Sequence, residues 1–229
     1  MIGDGNARAG TTSFRLAKDL GRALVDNGFR VVTGGLGGVM KAACAGAHSS
    51  KRYRPGDTIG ILPGPDASAA NAFVDIAIPT GLDHIRNSIV AHSDAVIAIG
   101  GGAGTLSEIC FAWMYKRLII AVGKDGWAGK VAGKPLDHRN RYKGAIQQDR
   151  IYAARDAAEA VRLLRRLLPI YSRRADGAKR PSFVEARQCS GQTSGSIEPA
   201  GRRNVTVEKI VGAVRAEEVR EQGPLNQVG

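Results

Sequence analysis

A chain of 229 residues, 43% of them hydrophobic, can bury one sizeable core, and it carries a formal net charge of +12. No apolar run approaches the ~20 residues of a membrane span, and the first residues lack the basic-then-apolar order of a signal peptide, so the cytoplasm is the expected location. The three cysteines Cys44, Cys110 and Cys189 are widely spaced and odd in number, which argues against a disulfide framework and a zinc site.

The four histidines, His48, His84, His92 and His138, have no metal-ligand spacing, and neither GxSxG nor HExxH occurs. No metal and no cofactor is expected. The positive charge would favour anionic partners, but the basic residues are scattered, aromatics make up only 5%, and no nucleic-acid-binding signature is present. A solvated basic surface is the better reading, with nucleic acid well behind.

In chain order, Met1-Ile2 runs straight into Gly3-Asp4-Gly5-Asn6 with almost no strand ahead of it. The first strand of a doubly wound sheet is usually central, so its truncation leaves its neighbours short of hydrogen-bond partners. The expectation is a chain start assigned several residues late rather than a damaged copy. A helix follows over Thr12 to Asn27, with Phe14, Leu16, Ala17, Leu20, Ala23, Leu24 and Val25 on one face and Gly28 ending it. Strands are then expected at Phe29 to Thr33, Thr58 to Leu62, Val74 to Ile78, Ala95 to Ile99 and Leu118 to Val122. Helices are expected at Val39 to Ser49, His84 to Ser93 with Asp83 as N-cap, Thr105 to Lys116, and Arg155 to Leu168 with Pro169 as the stop. This alternation gives an α/β fold class, a doubly wound parallel sheet over residues 1–169. Residues 170–229 read as a flexible basic tail, rich in Ser, Gly and Gln, in which Val205 to Glu221 could form a short amphipathic helix.

Three glycine-rich turns should open on the same sheet edge: Gly3-Asp4-Gly5, Gly34-Gly35-Leu36-Gly37-Gly38, and Gly100-Gly101-Gly102-Ala103-Gly104. None is a Walker loop and none is GxGxxG, which disfavours ATP hydrolysis and standard NAD binding. Glycines also make simple tight turns, but three clusters in register favour an anion held by loop amides. Thr105-Leu106-Ser107-Glu108 reads two ways, as a capping box and as a carboxylate facing the anion cleft. Arg86 opposes the dipole of a helix start and so points to an anionic partner, either a substrate phosphate or Glu108; an arginine reaching solvent is the plain alternative.

These residues carry a family resemblance. Val31-Val32-Thr33-Gly34-Gly35, Gly38-Val39-Met40, Gly46-Ala47, Arg86-Asn87 and the run from Asp94 through Gly100 to Glu108 closely resemble the LONELY GUY (LOG) proteins of the wider SLOG group of Rossmann-like proteins, formerly called lysine decarboxylases. The resemblance covers about residues 2–168 and implies a nucleotide-binding Rossmann-like domain. LOG enzymes are phosphoribohydrolases, cleaving the N-glycosidic bond of nucleoside 5′-monophosphates to base and ribose 5-phosphate. The resemblance places the catalytic glutamate at Glu108 and the arginine at Arg86. It places ligand and phosphate contacts at Gly34, Gly35, Gly37, Gly38, Met40, Asn87, Gly101, Gly102, Gly104 and Thr105. Two departures stand out: the family's PGG proline is Gly100, and the lysine after the arginine is Asn87. Both resemble the branch containing the molybdenum cofactor carrier proteins. The resemblance thus implies a hydrolase, with a non-catalytic binder or carrier of molybdenum cofactor or a signalling nucleotide as the alternative. It also implies a homodimer or higher homo-oligomer, to which Trp113 and Tyr115 could contribute; a core position for Trp113 is equally open.

Overall fold

The structure, a computed structural model, describes residues 1–139, 141–142 and 146–172, so the expected tail lies outside the described residues from residue 173 onward. Strands β1 (Ile2–Gly3), β5 (Ala95–Ile99), β6 (Leu118–Val122) and β7 (Tyr152–Ala154) form a parallel sheet in that order. Strands β2 (Val31–Thr33), β3 (Thr58–Leu62) and β4 (Ile76–Pro79) form a second parallel sheet, again in that order.

Alternating side chains of the central strands sort onto two faces, as the period of a strand requires. Ile97, Ile99, Leu118, Ile120 and Val122 pack with residues of α1 (Thr12–Asp26), α2 (Gly38–His48) and α6 (Ala157–Tyr171). Val96, Ala98, Ile119 and Ala121 pack instead with residues of α3 (Asn87–Ala91), α4 (Ala103–Met114) and α5 (Gly126–Val131). Helices therefore cover both faces, and β6 is apolar and buried at every position, as a strand sandwiched between two helical layers must be. This is the doubly wound, Rossmann-like α/β fold.

Strand β1 is two residues long and pairs Ile2 with Ala98 and Gly3 with Ile99. Towards the other sheet, the amino group of Met1 donates to the Val32 carbonyl at 2.5 Å. Beneath Met1, where β5 continues as Ala95–Ile97 without a β1 partner, an apolar cavity of about 200 Å³ opens, walled also by Val31, Leu164 and Leu168.

Three expectations change. The helix expected from His84 is a 3-10 turn over Asp83–Arg86 followed by the five-residue α3, and Leu82, not Asp83, precedes it; Asp83 takes φ +47° and does not cap. Pro169 does not stop α6, which runs on to Tyr171. A proline this late removes one hydrogen bond near an end that frays in any case. Strand β7 and helix α5 were not expected, because a three-residue strand and a six-residue helix with two glycines are too short to display a period. Trp113 takes the core position: it is 1% exposed, and the Arg141 guanidinium lies 3.6 Å from its ring centroid while bonding both oxygens of Asp149 at 2.5 and 2.7 Å.

Candidate functional site

The run after β5 builds the first half of the site. Gly102 is the N-cap of α4 and no side chain caps the helix, so Thr105 is its third residue and Glu108 lies one turn further in. The capping-box reading of Thr105 and Glu108 is therefore not realised. Thr105 is buried against Gly101: a Cβ on Gly101 would sit 2.1 Å from the Thr105 hydroxyl oxygen. The carbonyls of Gly100 and Gly101 accept from the amides of Ala128 and Trp127 at 3.1 and 3.0 Å, so α5 clasps the turn from behind. The amides of Gly101 and Gly102 have no acceptor among the described residues, and the first turn of any helix presents further unpaired N–H groups. Gly102 and Gly104 have open space around them. Unpaired amides, an uncapped helix start and free volume form an anion seat.

The second half is an ion pair. Arg86 and Glu108 keep only 10% and 9% of their side chains exposed, and Nη1 stands 3.5 Å from Oε1, longer than a well-made N–H···O bond. Arg86 Nε is buried without a partner among the described residues. A buried guanidinium holding one long contact has donors to spare for a ligand. Burial pushes the Glu108 carboxyl up to about 7, with Arg86 pulling the other way. The same burial works against the charge on Arg86. The guanidinium lies over Gly34, where a Cβ would come within 2.4 Å of Nη1.

Asn87 follows the arginine, but its amide is engaged: Nδ2 donates to Ser107 Oγ at 2.8 Å, and Ser107 Oγ donates to the Gly104 carbonyl at 2.7 Å. This relay ties the Arg86 segment to the start of α4. Sequence reasoning missed Ser107, although it lies inside the motif, and it missed the two amides of α5, which leave no side-chain signal.

The remaining glycine loops meet each other. Val39 N–H donates to the Asp4 carbonyl at 2.9 Å, and a Cβ on Gly38 would fall 2.2 Å from that same oxygen. Gly35 fits against Leu62, Gly37 approaches the Gly5 carbonyl, and Met40 reaches towards Gly5. Asn71 holds the carbonyls of Gly35 and Leu36 at 3.0 and 2.9 Å. Arg86, Glu108, Gly34 and the Gly101 to Thr105 turn thus come together in one place. Gly35, Gly37, Gly38 and Met40 make protein contacts that account for their small size or position. Among the described residues no group of three or more His, Cys, Asp or Glu could hold a metal, and no helix is long and apolar enough to cross a membrane.

The sequence profile of the SLOG cluster4 family matches residues 1–159. The structure is similar to the molybdenum cofactor binding protein of the phototrophic bacterium Rippkaea orientalis, at 30% identity and a TM-score of 0.59, over 73% of this chain and 94% of that one. It is also similar to the molybdenum cofactor carrier protein of Chlamydomonas reinhardtii, at 31% identity and a TM-score of 0.55, over 73% of this chain and 97% of that one. A probable cytokinin riboside 5′-monophosphate phosphoribohydrolase of Oryza sativa is 28% identical over 116 residues, and the match spans 48% of this chain and 49% of the rice protein.

Proposed function

The chain belongs to the SLOG cluster4 family, and from that premise we propose that it binds and carries a phosphorylated heterocyclic ligand of the molybdenum cofactor type. The observation that carries this reading is the pairing of an uncapped, open helix start at Gly102–Thr105 with a buried guanidinium whose Nε has no partner among the described residues. The phosphate would lie on the amides of Gly102 and the first turn of α4, and Arg86 would take a second polar group of the ligand. Two observations favour a carrier over a hydrolase. Gly100 holds φ +61°, which proline cannot adopt, so the turn follows a path that the PGG residue of LOG hydrolases would not permit. Asn87 is spent on Ser107, where the hydrolases present a lysine.

Cleavage of a nucleoside 5′-monophosphate is the second reading, favoured by the Arg86–Glu108 pair. With its carboxyl near 7, Glu108 could orient water or, ionised, steady a ribosyl cation, with Arg86 fixing its position. Incubation with AMP, other nucleoside monophosphates and a cytokinin ribotide distinguishes the two. Release of free base and ribose 5-phosphate, abolished by Glu108→Ala, establishes the hydrolase. Retention of molybdenum cofactor without turnover, weakened by Arg86→Ala, establishes the carrier.

We also assign self-association to the segment from β4 to α3. Ile76 and Ile78 stand on one face of the edge strand, and Leu82, Ile85 and Ile89 follow within eleven residues, all of them exposed. Exposed apolar side chains in this density suit a second copy of the chain.

A further inference from the structure

A second cavity, of about 380 Å³, lies at the carboxyl ends of β5, β6 and β7, on the face of the sheet that carries α1 and α6. Glu108 stands on the opposite face, with α4. Leu16, Ile99 and Val122 make the apolar part of the cavity. Its polar part consists of Thr12, Ser13, Lys124, Asp125 and Arg155. Arg155 gives Nε to Glu159 at 3.0 Å, which leaves its terminal nitrogens without a partner among the described residues. Lys124 has no side-chain hydrogen bond or ion pair among the described residues, and Asp125 makes no cap bond to α5. Lys124 and the terminal nitrogens of Arg155, whose Nε is paired with Glu159, thus border with Asp125 a space large enough for a phosphoryl group and its neighbours.

Gly100 links this cavity to the anion seat. It lines the cavity itself, and Gly102 is only two residues on, no more than ~7 Å along the chain. A side chain at Gly100 would stand beside Ser13, since a Cβ there would lie 3.7 Å from the Ser13 hydroxyl. Besides Ser13, only the Asp4 side chain, with its Cβ at 3.8 Å, stands within 4 Å of that position.

We propose that this cavity is a subsite for a second anionic group, so that the ligand is a diphosphate ester of a heterocyclic nucleoside or pterin. Its inner phosphoryl lies on the Gly102–Thr105 turn, and its outer phosphoryl lies across Gly100, between Lys124 and Arg155 and within reach of the Ser13 hydroxyl. The proposal rests on the reading of the turn as a phosphate seat. It adds the length and charge of the ligand, which that reading leaves open.

Calorimetric titration of the full chain with AMP and with ADP, in EDTA so that no divalent ion bridges the phosphates, tests it. ADP is expected to bind about tenfold more tightly than AMP, the size of a charge-assisted contact. Lys124→Ala combined with Arg155→Ala is expected to remove the preference for ADP over AMP and leave the melting temperature unchanged, since both side chains are exposed. Equal affinity of the wild-type protein for AMP and ADP, or a preference that survives the double substitution, overturns the subsite. If wild-type protein binds AMP and ADP alike but adenosine much more weakly, the phosphate seat stands and the subsite falls. Failure of wild-type protein to bind either nucleotide overturns both.

Discussion

Gly34 sets the position of Arg86: a Cβ on the glycine would lie 2.4 Å from Nη1 and 2.8 Å from Cζ of the guanidinium. The absence of a side chain at the end of β2 therefore leaves room for the guanidinium 3.5 Å from Glu108. Gly34→Ala should swing the guanidinium away rather than disrupt the core, because the clash involves the mobile end of a side chain. The expected cost is about 1 kcal/mol of stability, the low end for overpacking, with at least a tenfold loss of affinity for a phosphorylated ligand. Thermal melting and calorimetry on the same preparation check both; unchanged affinity would show that Arg86 does not need its present position.

Glu108 should make stability depend on pH in a defined window. Its folded carboxyl titrates near 7 against an ordinary value of 4.5, so between those values the folded state holds more protons than the unfolded state. Stability from this group is then full below about pH 4.5 and is lost as the pH rises through 7. Glu108→Gln lacks the titration, so its stability relative to wild type should rise by roughly 3 kcal/mol across the window. Denaturant unfolding of both proteins at several pH values measures the difference. A flat difference would sink the assignment.

Gly100 separates the carrier and hydrolase readings by backbone geometry. At φ +61° an alanine is strained, by about 1–2 kcal/mol, although its Cβ would meet nothing closer than 3.7 Å. Proline fixes φ near −65° and should cost more than alanine, displacing the turn and its amides. Melting of Gly100→Ala and Gly100→Pro should rank them in that order, with ligand affinity falling mainly in the proline variant. A proline variant as stable as wild type would mean that the turn moves freely between the two paths.

Ile85 is 69% exposed between Leu82 and Ile89. Ile85→Asp should convert an assembled form to monomer with a change in intrinsic stability within about 0.5 kcal/mol, as for other surface substitutions. Light scattering coupled to size-exclusion chromatography reads the mass. Retention of the wild-type mass would exclude this face from the interface.

The sequence made some elements legible through period alone. Strands Thr58–Leu62, Ala95–Ile99 and Leu118–Val122 lie where the apolar runs place them, because a buried strand between helices needs an unbroken β-branched and aliphatic stretch. Helix α1 likewise follows its apolar face from Thr12. The start of α4 was misplaced by two residues, at Thr105 instead of Ala103. That small error changes the chemistry: it turns Thr105 from a cap into a buried packing residue, and Glu108 from a cap partner into half of an ion pair. A capping motif and a catalytic or binding motif can share one spacing, and only the neighbour across the cleft distinguishes them.

The glycine loops show the same division. From the sequence, Gly34–Gly38 and Gly100–Gly104 are equivalent anion loops. In the fold, the first is filled by Arg86, Leu62, and the backbone of Asp4 and Gly5, and the second is left open on one side and clasped by α5 on the other. What the sequence determined by itself was the alternation of the longer strands and helices, the family, and the presence of an arginine and a glutamate available for a shared site, because periodicity and motif order are local properties of the chain. What only the tertiary structure decided was which amides remain unpaired, that Asn87 serves Ser107, and that Lys124 and Arg155 share a cavity with Gly100. Those facts depend on contacts between segments far apart in the chain, where hydrogen-bond satisfaction and burial are settled by packing.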